Sequence, residues 1–170
     1  MKTTINCFLP FSRLEETMQT VKELRASTLV DKIYLLASPI TNVCIPECEL
    51  ISVEKMQSTQ AMQAIAEHSD KAYTLVYTKR TALRLGMFAL ERMVQVMEMT
   101  QAGMVYADHY QQVDGVLKPA PVIDYQPGSL RDDFDFGSVL LFNANTFKEA
   151  IKDTEEEYQY AGLYDLRLKI

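Results

Sequence analysis

Short β-prone runs alternate with helix-length segments along the whole chain, and this alternation constrains the fold more than any other feature. Residues 4–9, 32–37, 49–53, 73–77, 103–107 and 138–142 are brief runs rich in β-branched, aromatic and aliphatic side chains. The segments between them carry apolar residues at helical spacing: Leu14, Met18, Val21 and Leu24; Met62 and Ile65; Leu83, Phe88, Leu90, Val94 and Met97. The last of these predicts one long helix over 81–99. Further helices are expected over 146–152 and 161–169. Residues 32–37 are apolar enough to be buried on both faces of a sheet. Strands separated by helices predict a mostly parallel sheet with helices on both sides, a three-layer α/β/α fold.

Local signals punctuate the pattern. Ser12 and Glu15 have the spacing of a capping box, which predicts a helix start after Pro10. Pro39 and Pro46 make 38–47 a loop, and 113–137 reads as loop-rich, with Pro119, Pro121, Pro127 and a dense aspartate cluster. Glu155-Glu156-Glu157 is a solvated acidic stretch.

The bulk numbers exclude several function classes. A length of 170 residues fits one domain, 1–170. The net charge is −6, and the 17 Lys and Arg are scattered, whereas nucleic-acid binding needs clustered cations to release counterions. No apolar run approaches the ~20 residues that a membrane-spanning helix requires. The apolar patch 5–11 is followed at once by Arg13, Glu15 and Glu16, so it is no secretory segment. The chain therefore reads as cytoplasmic. Cys7, Cys44 and Cys48 are an odd set, expected as reduced thiols. A closed zinc site needs four ligands, and neither His68 nor His109 stands at metal-ligand spacing from Cys44 and Cys48.

The chemistry-bearing stretch is Met104-Val105-Tyr106-Ala107-Asp108-His109-Tyr110, closing on the turn Asp114-Gly115. An apolar strand there ends in an aspartate, and ligands of α/β proteins bind at the carboxyl ends of strands. Downstream lies Gly162-Leu163-Tyr164-Asp165-Leu166-Arg167-Leu168. Together and in this order, the two stretches resemble family 2 glycosyltransferases of the GT-A fold. The resemblance covers residues 5–168 and is strongest over 104–142 and 160–168.

The resemblance implies a nucleotide-diphospho-sugar donor and a carbohydrate or glycoconjugate acceptor, in surface polysaccharide or glycoconjugate synthesis. It puts Pro10, Phe11 and Ser12 at the nucleotide and Asp108 beside the diphosphate, where Asp108 is also the first ligand for magnesium or manganese. It puts Arg131, Asp132 and Asp133 on the acceptor side. Asp165 falls at the position of the general base of inverting members, and no cationic i,i+4 partner is expected for it.

Two departures from the family pattern stand out. Thr78-Lys79-Arg80 replaces the paired carboxylates that hold a cation, so Lys79 and Arg80 are expected to face the diphosphate themselves. Ala37-Ser38 stands where the second strand commonly ends in an acid. These leave a second reading open, a catalytically degenerate GT-A-like binding module. Family members also continue past the acidic helix, so 1–170 is either a whole domain or the N-terminal part of a longer protein. A nucleotidyltransferase shares the α/β layout, but the loop Leu9-Pro10-Phe11-Ser12-Arg13 lacks that class's glycines. A response receiver needs paired acids after the first strand, and there are none.

Overall fold

Every residue of strand β1 (Ile5–Pro10) is buried, as expected where a sheet is covered on both faces. The computed structural model describes residues 4–41, 43–124 and 135–170. After β1 come α1 (Leu14–Arg25), β2 (Val30–Ala37), β3 (Cys48–Ser52), α2 (Thr59–His68) and β4 (Tyr73–Tyr77). Next are α3 (Ala89–Thr100), β5 (Met104–Tyr106), β6 (His109–Val113), β7 (Val116–Ala120) and β8 (Val139–Asn143). Helices α4 (Ala144–Lys152) and α5 (Gly162–Lys169) complete the described elements.

The main sheet has the order β3-β2-β1-β4-β8-β5. Strands β1 to β4 pair in parallel, and β8 runs antiparallel between β4 and β5. Side chains alternate between two apolar cores. Cys7, Leu9, Ile33, Leu35, Leu75 and Leu141 face one side, under Val21 and Leu24 of α1 and Leu90, Met93 and Met97 of α3. Phe8, Tyr34, Val76, Leu140 and Phe142 face the other, under Met62 and Ile65 of α2, Phe147 of α4 and Leu163 and Leu166 of α5. This is the expected three-layer α/β/α arrangement.

Several local expectations are corrected. Helix α1 starts one residue late: Arg13 is its N-cap and makes no side-chain cap bond. Ser12 instead donates its N–H to Thr17 Oγ1 at 3.2 Å, and its hydroxyl lies 3.5 Å from Glu16 rather than reaching Glu15. Leu14 and Met18 are half exposed, while Thr17 and Thr20 are buried. The reason is that Thr20 Oγ1 accepts the N–H of Leu83 at 3.0 Å and Glu23 Oε1 that of Leu85 at 3.0 Å. The same bonds explain why the expected long helix over 81–99 is helical only from Ala89. Leu83 and Leu85 give their amides to α1 side chains instead of to carbonyls of their own segment.

Residues 109–120 form an antiparallel hairpin that runs into the stretch 113–137, where the sequence predicts mainly loop. Asp114 and Gly115 both take positive φ, 52° and 77°, as a two-residue hairpin turn of the mirror-image type demands.

The cysteines are graded by burial. Cys7 lies inside β1, where burial pushes its thiol far above the usual range. Cys48 is half-buried, and burial pushes it up to about 11. Cys44 is exposed. Only the thiolate attacks a disulfide reagent, so at pH 8 about one Cys48 in a thousand is reactive at any instant. A colorimetric disulfide reagent at pH 8 is expected to titrate one thiol quickly in the folded chain and all three after denaturation. A second thiol as fast as the first would contradict this grading.

Candidate functional site

Strands β1, β2 and β3 are laid down in one direction across the sheet, and β4 then returns to the other side of β1. The chain therefore reverses between β1 and β4, and in open α/β sheets such a switch point opens a crevice at the carboxyl ends of the strands. A cleft of about 630 Å³ lies there, within the range of small-molecule sites. Phe11, Ser12, Arg13 and Glu16 line it from the loop after β1 and the first turn of α1. Ala37, Ser38 and Thr41 come from the end of β2, Val53, Glu54 and Met56 from beyond β3, and Arg80 from beyond β4.

The rim is fixed by backbone bonds that extend the ladder past the strands. Phe11 N–H donates to the Leu36 carbonyl at 2.8 Å, and Val53 N–H to the Ala37 carbonyl at 2.8 Å. The backbone on either side of Arg80 is fixed by its surroundings. Thr78 N–H donates to the Ser138 carbonyl at 2.9 Å, and the Tyr77 hydroxyl donates to the Thr81 carbonyl at 3.0 Å. Burial pushes the Tyr77 phenol up, so that hydroxyl remains a donor at neutral pH. Among the described residues, neither Arg13, Arg80 nor Glu54 makes an ion pair or side-chain hydrogen bond. The guanidinium donors of Arg13 and Arg80 are therefore not taken up by protein partners among the described residues.

No family model matches this chain, and no curated protein matches it significantly. Solved structures do. A 2-C-methyl-D-erythritol 4-phosphate cytidylyltransferase from Thermus thermophilus superposes with a TM-score of 0.56 at 10% identity, covering 98% of this chain and 84% of that one. A 4-diphosphocytidyl-2C-methyl-D-erythritol synthase gives 0.56 at 12% identity, over 98% and 85%. The cytidylyltransferase of Francisella tularensis gives 0.52 at 10% identity, over 99% and 82%.

The chain has the fold of these cytidylyltransferases. Identities this low speak for the fold alone. That fold is GT-A-like, so the expected architecture holds, whereas family 2 membership is not shown.

Of the expected site residues, Phe11, Ser12 and Arg80 meet in the cleft. Pro10 is the last residue of β1 beneath it. Lys79 is exposed next to Arg80 and is not part of the lining.

Asp108 lies just past β5 and is exposed; its Oδ1 accepts the N–H of Val122 at 2.8 Å. There it clamps the base of the β6–β7 hairpin. Asp165 has an i,i+4 partner after all: its Oδ2 lies 2.7 Å from Lys169 Nζ and accepts the Thr154 hydroxyl at 3.2 Å. One turn of helix brings Lys169 back over Asp165, which corrects the expectation that it stands unpartnered. Neither aspartate lines the cleft. Arg131, Asp132 and Asp133 lie outside the described residues.

Sequence reasoning missed Arg13, Ser38 and Glu54. The signal for Glu54 was available, since it is an acid just past the carboxyl end of a strand, the criterion that singles out Asp108. The fold adds the strand order that sets β3 and β4 on the two flanks of one cleft.

The resemblance implies a divalent ion with Asp108 as first ligand. Among the described residues no group of three His, Cys, Asp or Glu could hold one, and Asp108 already serves Val122. The described residues do not fit a protein-built metal centre.

Proposed function

We propose that this chain binds the nucleotide diphosphate of a nucleotide-diphospho-sugar in the switch-point cleft and transfers the sugar to an acceptor hydroxyl of a carbohydrate or glycoconjugate. The observation that carries the proposal is Arg80, a guanidinium without a protein partner among the described residues, lining from beyond β4 a cleft that Phe11, Ser12, Ala37 and Ser38 also line. Phe11 offers a flat face to a base. Ser12 and Ser38 offer hydroxyls. Arg80 and Arg13 would bind the diphosphate and stabilise the charge that grows on it as the glycosidic bond breaks. Arginine suits this, because its planar fork can donate two parallel bonds to phosphate.

The solved neighbours favour a second reading, nucleotidyl transfer, in which a triphosphate is the donor. The glycine-free loop after β1 weighs against it, since wrapping a triphosphate calls for close approach of backbone amides. A thermal-shift comparison separates the two. UDP-, GDP- or dTDP-sugars are expected to raise the melting temperature by mass action. A rise with CTP or another triphosphate alone would move the chain to the second reading. No rise with any nucleotide would refute both and return the chain to the interaction-module reading.

Metal dependence is expected to be small. In the resemblance Lys79 and Arg80 replace the paired carboxylates that would hold a cation, and Arg80 lines the cleft. Calorimetry with a nucleoside diphosphate should show less than about a tenfold change in affinity on adding manganese, under about 1.4 kcal/mol. A hundredfold gain, about 2.7 kcal/mol, would reveal an acid set that does hold the ion.

Asp165→Asn distinguishes two roles. We expect it to act through packing: the variant loses the Lys169 ion pair, costs about 1 kcal/mol or less and leaves nucleotide affinity unchanged. A drop of roughly 10²–10⁴ in turnover with stability intact would instead make Asp165 the base that takes the acceptor proton.

A further inference from the structure

We infer that Glu54 reads the ribose hydroxyls of the nucleotide and makes the cleft selective for ribonucleotides over 2′-deoxyribonucleotides. This rests on the nucleotide reading of the same cleft. The strand order places the end of β3 and the end of β4 three inter-strand steps apart, about 14 Å. Glu54 marks one end of that span and Arg80 the other. Phosphate oxygens are drawn to a guanidinium and repelled by a carboxylate, so a nucleotide has one favourable orientation. Its phosphates lie toward β4 and its nucleoside toward β3.

What meets Glu54 must then be a donor, because an ionised carboxylate only accepts. The ribose offers two neighbouring hydroxyls, and the two oxygens of one carboxylate can take both. Glu54 is available for this, as it has no ion pair or side-chain hydrogen bond among the described residues. Its position is set by the Val53 N–H bond to the Ala37 carbonyl at 2.8 Å. Glu16, the other acid of the cleft, sits by Ser12 in the middle of the span. Ala37-Ser38, at the end of β2, brings no acid to compete for the sugar.

The test is calorimetry with matched pairs, UDP with 2′-deoxy-UDP and GDP with 2′-deoxy-GDP, on wild type, Glu54→Ala and Glu54→Gln. Glu54 is exposed, so both variants should fold. Wild type is expected to bind each ribonucleotide at least about tenfold more tightly than its deoxy partner, the ordinary worth of a hydrogen bond to a charged group. Glu54→Ala should abolish that ratio by weakening only the ribonucleotides, with Glu54→Gln in between. Arg80→Ala, as the control, should weaken both members of each pair by the same factor.

A ratio unchanged in Glu54→Ala would overturn the inference while leaving the nucleotide reading standing. So would a loss confined to the guanine pair, which would mean that Glu54 reads a base amino group. If wild type binds neither member of either pair, the nucleotide reading falls and this inference falls with it.

Discussion

Replacing Gly162 by alanine is expected to destabilise the chain by about 3 kcal/mol, at the upper end of what forced overpacking costs. A methyl group on Gly162 would meet backbone, not yielding side chains: the amide nitrogen of Thr59, the Ser58 carbonyl carbon at 2.5 Å and the Ser58 oxygen at 2.8 Å. The first turn of α5 lies directly on the first turn of α2. Gly162 N–H donates to the Gln57 carbonyl at 2.7 Å, and Thr59 N–H donates to the Tyr158 carbonyl at 2.9 Å. Neither backbone can retreat without breaking these bonds. Separating the two helices would also loosen Leu163 and Leu166 from the core that they close. For a domain of this size the loss corresponds to a fall of about 6–12 °C in melting temperature. Chemical denaturation of wild type and variant measures it, and an unchanged midpoint would show that the helices can part freely.

Arg80→Ala should weaken binding of a nucleoside diphosphate ten- to a hundredfold, because it removes charge-assisted bonds worth about 1.5–3 kcal/mol. Stability should barely change, since Arg80 is exposed and has no protein partner among the described residues. Arg80→Lys keeps the charge but not the fork, so an intermediate affinity is expected. Calorimetry on the three proteins decides. Wild-type affinity in Arg80→Ala would remove Arg80 from the site.

Much of the fold is legible in the sequence because its strands are strongly patterned. The apolar run 73–77 is the observed β4, and the apolar run 32–37 places the start of β2 within two residues. The errors lie where tertiary partners override local preference. Leu83 looks like part of the inner face of a helix, yet its amide and that of Leu85 belong to Thr20 and Glu23, distant in sequence. Phe88, expected inside that helix, is instead its exposed N-cap at φ 57°. Strands β6 and β7 carry Gln111, Gln112, Lys118 and Pro119, too polar to show an apolar alternation, and only Asp114-Gly115 betrays the turn.

The candidate site is half legible. Phe11, Ser12 and Arg80 can be found from their places beside strand ends. Glu54 carries the same strand-end signal, but only the order β3-β2-β1-β4 sets it, with Arg13 and Ser38, in one cleft with Arg80. The motif around Gly162 owes part of its wording to the packing of α5 on α2. In the same helix Asp165 pairs with Lys169 and Thr154, an i,i+4 contact that only the folded helix makes visible.

The central claim, that a nucleotide diphosphate occupies the switch-point cleft, is tested most directly by titrating a nucleoside diphosphate into ¹⁵N-labelled protein and following the backbone amides. The account predicts that the amides of Phe11, Ser12, Ser38 and Arg80 shift together along one binding curve while those of the β6–β7 hairpin stay still. Shifts confined to the hairpin, or none at a saturating concentration, would contradict it.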